Sequence, residues 1–271
     1  MRLERFYTAK LPEITALRQA ADRGDLQRIL REPRPDFTAA LRTSGGQLAV
    51  IAEYKRTSPS LGSICESIEV EEAARQYAAA GAHALSILTE EQYFHGNIAF
   101  LERAANQDTT SPLPLLRKDF IFDPLQVLAT AGTKASALLL IVRLTPSAGT
   151  LRRLREETEK MGLQAVVEVF DAHDLRLARE SGARIVQVNA RDLDTLTVNR
   201  KACRKLATAY PPENHELWIA ASGISRPEHL VEAAESGYHA VLVGSSLMKN
   251  GKPGENLTAL LKTQDKDRPC A

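Results

Sequence analysis

Charged residues interrupt three apolar runs of this chain at positions suited to proton transfer. Glu53 and Lys55 close the run at 48–54, Lys118 follows the run at 114–117, and Glu168 sits between Val167 and Val169. Carboxylates and ammonium groups are seldom buried unless paired or put to use. Residues two apart on a strand point to the same side, so Glu53 and Lys55 share a face. They form either a buried ion pair, which is costly to desolvate and weak as a stability device, or part of a working site. Four such groups brought to one place by three strand ends favour the working site. Opposite charges crowded together shift one another's proton affinity, as general acid–base catalysis requires.

A second set of residues suits an anion. The run at 217–221 leads into Ser222-Gly223-Ile224-Ser225, and the run at 240–243 into Gly244-Ser245-Ser246-Leu247. Glycine beside a small hydroxyl lets backbone N–H groups approach a phosphate closely. One such turn reads as an ordinary tight loop, whereas two neighbouring ones read as a phosphate site. Tyr93-Phe94 lies in a glycine-containing loop and is either core or a wall for a flat ring; the pattern leaves this open. The six histidines are scattered without metal-ligand spacing, and no metal site is expected.

These side chains need a scaffold that brings strand ends together. Short apolar runs recur at 48–54, 84–88, 114–117, 137–142, 165–169, 185–188, 217–221 and 240–243. Their near-continuous hydrophobicity suits strands buried on both faces, as in a parallel sheet covered by helices. Helical signals fall between them. Val70, Ala73, Ala74 and Tyr77 have helical spacing and Gly81 is a stop; Asp123-Pro124 is a start; Leu151 and Leu154 lie in a charged helix ending at Gly162. Ser225-Arg226-Pro227-Glu228 has capping-box spacing. Gly81-Ala82-His83-Ala84, Gly182-Ala183-Arg184-Ile185 and Gly237-Tyr238-His239-Ala240 each close a helix and open a strand.

Strands alternating with helices predict an α/β protein, a (β/α)8 TIM barrel with an N-terminal helical extension and chemistry at the C-terminal mouth. A doubly wound sheet is the alternative, but no Gly-x-Gly-x-x-Gly follows the first strand. Residues 1–47 are expected to form the extension and 48–265 the catalytic barrel. In the extension, Ile14, Leu17, Ala20 and Ala21 have helical spacing, and Pro33 and Pro35 break the chain before a second short helix. It is expected to cover one end of the barrel, with a substrate-facing role as the weaker alternative.

The bulk composition narrows the function. The 271 residues include 35 basic and 34 acidic side chains, for a net charge of +1, which gives no overall field to recruit nucleic acid or a membrane. No stretch approaches the roughly 18 apolar residues of a membrane helix, and the first ten residues carry no signal-like apolar run. Cys65, Cys203 and Cys270 are too few and too far apart for a disulfide framework. The expectation is a cytoplasmic enzyme acting on a small molecule, a monomer with a weak homodimer as the alternative.

Taken together, the motifs resemble the indole-3-glycerol-phosphate synthase family. The resemblance rests on Ala52-Glu53-Tyr54-Lys55-Arg56-Thr57-Ser58-Pro59-Ser60, on 86–96, and on Leu116-Arg117-Lys118-Asp119-Phe120-Ile121. Shorter matches follow at Val167-Glu168-Val169, Asn189-Ala190-Arg191-Asp192-Leu193, Ala221-Ser222-Gly223-Ile224 and 243–248. It implies decarboxylating, dehydrating ring closure of 1-(2-carboxyphenylamino)-1-deoxyribulose 5-phosphate in tryptophan biosynthesis, a carboxy-lyase reaction with no cofactor. By position, Lys118 would be the general acid, Lys55 would bind charge near the reacting end, Glu168 would assist dehydration, and Glu53 would hold the lysines. Asn189 and Arg191 would contact the substrate, Ser58, Ser222, Gly223, Gly244 and Ser245 would serve the phosphate end, and Phe94 and Phe120 would line the ring pocket. The chain departs from the family at Ala221, where a glutamate is usual, at Ala190, where an asparagine is usual, and at Lys134-Ala135-Ser136. Those changes leave a divergent paralogue, acting on or merely binding a related phosphorylated molecule, as the alternative.

Overall fold

The eight apolar runs become the eight strands of a closed barrel. A computed structural model of the chain describes residues 2–26, 28–43, 47–106, 112–145 and 147–262. Cys270 and the expected barrel limit at 265 lie outside them. Two helices come first, α1 (Arg2–Arg23) and α2 (Phe37–Leu41), then β1 (Ala49–Tyr54) and a small antiparallel hairpin of β2 (Thr57–Ser58) and β3 (Gly62–Ser63). The repeat then runs α3 (Val70–Ala79), β4 (Ala84–Leu88), α4 (Ala99–Ala105), β5 (Leu115–Ile121), α5 (Pro124–Ala131), β6 (Ala137–Ile141), α6 (Ala148–Lys160) and β7 (Gln164–Val169). It closes with α7 (Ala172–Ser181), β8 (Ile185–Asn189), α8 (Arg200–Ala209), β9 (Leu217–Ala221), α9 (Pro227–Glu235), β10 (Ala240–Val243) and α10 (Pro253–Leu261). The parallel barrel has the order β1-β10-β9-β8-β7-β6-β5-β4.

Alternation along each strand divides the core in two. Val50 and Ala52, Leu138 and Leu140, and Val186 and Val188 face the helices and form the larger cluster. Ala49 and Ile51, Leu139 and Ile141, and Ile219 and Ala221 belong to the inner cluster. The recurrent Gly81, Gly182 and Gly237 all have left-handed backbone, with φ of +90°, +83° and +83°, each just past the end of a helix, where a side chain would be strained.

Four expectations change. β5 does not stop at Arg117: it runs through Lys118 and Asp119 to Ile121, with a register shift against β6 between Arg117 and Ile121. Charged residues read as a strand end, yet here one face of the strand meets the mouth and the other a buried polar network. The spacing at 225–228 does not make a capping box. Arg226 is the N-cap of α9 without a side-chain cap bond, and the Ser225 N–H instead donates to His229 Nδ1 at 3.2 Å. Ile14, Leu17, Ala20 and Ala21 do lie on a helix, α1, but of these only Ile14 is buried; the buried stripe is Leu3, Phe6, Lys10 and Ile14, and the helix continues through Pro12. Finally, the N-terminal segment touches both ends of the barrel. Phe6 reaches the mouth, while Phe37 and Leu41 of α2 join the inner cluster near Ala49, Ala84, Ala137 and Ala240, small residues that open four strands and leave room below.

Candidate active site

A cavity of about 330 Å³ opens where the strands end. β1 delivers Glu53 and Lys55, whose Oε1 and Nζ lie 2.8 Å apart. β5 delivers Lys118, and β7 delivers Glu168, with Nζ 3.7 Å from Oε2. All four line the one cavity. The carboxylates are buried and the lysines half-buried, so each ammonium retains reach into the mouth. Beneath them the floor is apolar, made by Leu139, Ile141 and Leu242. Two ion pairs over an apolar floor can donate and accept protons.

Each carboxylate is held from the side. Ser86 Oγ donates to Glu53 Oε2 at 3.5 Å, and Gln187 Nε2 donates to Glu168 Oε2. Gly244 also bears on Glu53: a Cβ there would lie 2.2 Å from Oε1, so the bare backbone of β10's exit is what admits the carboxylate. Asn189 Oδ1 accepts the Arg191 N–H at 3.0 Å, which leaves its amide nitrogen for a ligand. Arg191 Nη1 donates to Ser60 Oγ at 3.2 Å and to the Leu196 carbonyl at 2.9 Å, tying two mouth loops together. Burial lowers its proton affinity and Glu53 partly restores it.

The far rim suits an anion. Ser222 and Gly223 both have left-handed backbone, φ +72° and +79°. For a serine this costs about 1–3 kcal/mol, and such strain collects at working sites. A Cβ on Gly223 would meet Val198 Cγ1 at 2.6 Å, so packing as well as ligand approach requires this glycine. After β10, the Leu247 and Met248 N–H groups donate back to the Gly244 carbonyl at 2.9 and 3.2 Å. Ser245 and Ser246 thus occupy the first turn of a helix-like bend, where N–H groups point outward to an acceptor. Ser58, in the β2–β3 hairpin, accepts the Leu61 N–H at 3.2 Å and stands on the same rim.

Aromatic rings form the remaining wall. Phe120 and Phe94 line the cavity, which answers the question that pattern left open for Phe94. Phe6 of α1 stacks on Phe120 at 4.2 Å and meets Tyr93 edge-on at 5.1 Å. The Phe94 loop is organised by buried Glu90, whose carboxylate accepts the N–H groups of Gln92, Tyr93 and Phe94 at 3.0, 2.7 and 3.0 Å. Burial raises the proton affinity of Glu90 against those bonds. α1 is anchored by Lys10 on Asp119 at 3.0 Å and Glu13 on Arg117 at 3.1 Å.

The cavity is lined by every residue to which the resemblance gave a role, from Glu53 to Ser245, while Tyr93 does not line it. It adds others that sequence reasoning missed. Phe6, Leu61, Leu193, Leu196 and Lys249 line it, and Gln187 stands directly behind. Gln187 carried a signal, a polar residue within an apolar strand; Phe6 carried none, because its contacts are long-range. Ala221 lies in the mouth itself, so the departure there removes a carboxylate from the cavity wall. The Lys134 change lies at the opposite end, where Lys134 pairs with Glu32. His83 and His239 sit at that end too, each accepting a strand N–H on Nδ1, from Val50 and Trp218.

Fold and site define a (β/α)8 barrel with an acid–base set and an anion-suited rim at its C-terminal mouth. The sequence pattern described as "Indole-3-glycerol phosphate synthase" matches residues 3–260, and the chain belongs to that family. An indole-3-glycerol phosphate synthase of Roseiflexus sp. (strain RS-1) is 42% identical over 219 residues, 80% of this chain and 81% of that protein. The one from Dehalococcoides mccartyi (strain CBDB1) is 37% identical over 248 residues, 91% of this chain and 95% of its own. Among solved structures, the tryptophan synthase α subunit of Legionella pneumophila covers 85% of this chain and 98% of its own with a TM-score of 0.60 at 12% identity, which speaks for the fold alone.

Proposed function

We propose that the protein is an indole-3-glycerol phosphate synthase, a carboxy-lyase of tryptophan biosynthesis. The observation that carries this reading is the pair of ion pairs, Lys55–Glu53 and Lys118–Glu168, facing one cavity in a member of this family. In the proposed reaction the ring carbon bearing the carboxylate bonds to the ketose carbonyl carbon. Lys118 gives a proton to the carbonyl oxygen, which becomes a hydroxyl. Carbon dioxide then leaves with its bonding electrons returned to the ring. Glu168 handles the proton as the hydroxyl departs as water and the indole becomes aromatic. Lys55, held by Glu53, faces the carboxylate until it leaves; Arg191 and Asn189 orient the same end. The phosphate rests on the rim of Ser58, Ser222, Gly223, Gly244 and Ser245, and the aromatic ring lies against Phe94 and Phe120. The net change is loss of carbon dioxide and water with no electrons exchanged with an outside oxidant or reductant, so the reading calls for no redox cofactor and no metal.

In this reading residues 1–47 are the extension and 48–265 the barrel, and the enzyme works as a cytoplasmic monomer. Turnover of the carboxyphenylamino-deoxyribulose phosphate, followed by indole fluorescence, tests it. Product at micromolar enzyme supports it, and none above background overturns it. Ala221 favours one second reading, a paralogue that binds a related phosphorylated molecule. Calorimetric binding of indole-3-glycerol phosphate without turnover would select that alternative.

A further inference from the structure

Gln187 of β8 is completely buried, and the reaction sequence above gives it no part. We infer that it is a positioning residue for Glu168, holding that carboxylate in the orientation used for loss of water; this rests on the function proposed above. Glu168 and Gln187 are direct register partners on the parallel strands β7 and β8. Nε2 of Gln187 donates to Oε2 of Glu168, and Lys118 Nζ lies 3.7 Å from that same oxygen. The opposite amide orientation would set two oxygens against each other, so the hydrogen bond fixes the assignment. The other strand neighbours in this row, Ile141 beside Glu168 and Ile219 beside Gln187, are apolar. Among the described residues, Glu168 therefore has a lysine that must serve the substrate and one fixed partner, Gln187.

The other end of the amide sharpens the point. Gln187 Oε1 is buried with no hydrogen-bond partner among the described residues. Interior polar atoms are nearly always paired, and one left unmet detracts from stability. Methionine has nearly the same shape and no such defect. A glutamine here serves the fold less well than methionine would, and what it supplies instead is a donor aimed at Glu168. A misplacement of about 1 Å at a reacting group can cost on the order of 10²-fold in rate. A carboxylate oriented only by a substrate-engaged lysine is open to such misplacement.

The test uses the full chain with Gln187→Met and follows carbon dioxide release and indole fluorescence in single turnovers. The expected result is an unchanged or higher Tm, KM within about twofold, and kcat lower by about 10- to 100-fold. Carbon dioxide should appear ahead of indole, because ring closure and decarboxylation precede the step that uses Glu168. In a Glu168→Gln background, adding Gln187→Met should cause no further loss, as expected of a residue that acts through Glu168. A kcat near that of the parent, equal slowing of both products, or a full additional loss in the Glu168→Gln background would overturn the inference. Should Gln187→Met not fold, Gln187→Asn keeps an amide one methylene too short to reach, and the same losses are expected. A parent protein that makes no indole would instead overturn the function itself, a different result from a parent and variants that turn over alike.

Discussion

The site is assembled by contacts at single residues, and Gly244 is the most exacting of them. Its missing side chain is the space that Glu53 occupies, since a Cβ would lie 2.2 Å from the carboxylate oxygen. Gly244→Ala must push Glu53 aside and with it Lys55, 2.8 Å away. We expect kcat to fall by about 10²-fold with a modest change in Tm, read from steady-state kinetics beside a thermal melt. Lys118→Met removes the proposed acid while keeping most of the side-chain volume. It should lower kcat by about 10²- to 10⁴-fold and leave KM nearly unchanged, which indole fluorescence measures directly. The charged members of this site were legible in the sequence because a glutamate or lysine inside a valine- and leucine-rich strand needs a reason. Gln187 was less legible, since an uncharged amide in a strand is compatible with several environments. Gly244 was legible as a residue but not in its purpose: it read as room for a ligand, and it also makes room for a neighbouring strand's carboxylate.

At the scale of elements, α1 is held by charge buried against β5. Lys10 and Glu13 meet Asp119 and Arg117, and Arg117 Nη2 also donates to Asp119 at 2.9 Å. Burial pushes the Asp119 carboxyl up, but the charges of Arg117 and Lys10 and the hydrogen bonds from Thr89 and Arg117 outweigh it and bring it down to about 2. A carboxyl that is more acidic in the fold than in the unfolded chain stabilises the protein above its ordinary value of 3.8. That contribution is lost as pH falls from about 4 toward 2. Hydrogen exchange in α1 should therefore accelerate over that interval, and in Asp119→Ala it should be fast already at neutral pH. Asp119→Ala leaves the buried cations Lys10 and Arg117 to share Glu13 and should cost about 3 kcal/mol in urea unfolding. The barrel strands were legible because each is a short apolar run that cannot be a helix. α1 was only half legible: a buried lysine breaks its apolar stripe, and Pro12 suggests an end where the helix in fact continues. The β2–β3 hairpin was not legible, since two residues a side leave no periodicity to read.

The whole molecule separates chemistry from stability along the barrel axis. Polar interior residues gather at the mouth, while the opposite end is closed by the inner cluster around Phe37 and Leu41. That closure comes from α2, five residues long and far too short to stand alone in water. It exists because Asp36 caps it at 3.0 Å through the Ala39 N–H, Gln164 Oε1 accepts the Thr38 N–H at 3.1 Å, and the barrel accepts its apolar face. No local pattern could place this segment, because its partners are alanines from strands spread along the whole chain. Phe37 is fully buried at the end away from the cavity, so its removal opens a void that the rigid ring of strands cannot close. Phe37→Ala should cost about 3–5 kcal/mol of stability. At a temperature where the variant remains folded, kcat and KM should match the parent, because α2 contributes no residue to the lining of the cavity. Urea unfolding and steady-state kinetics on the same preparation check both halves. An equal loss of stability and turnover would mean that the two ends of the barrel are coupled, with the inner cluster transmitting strain from α2 to the charged layer above it.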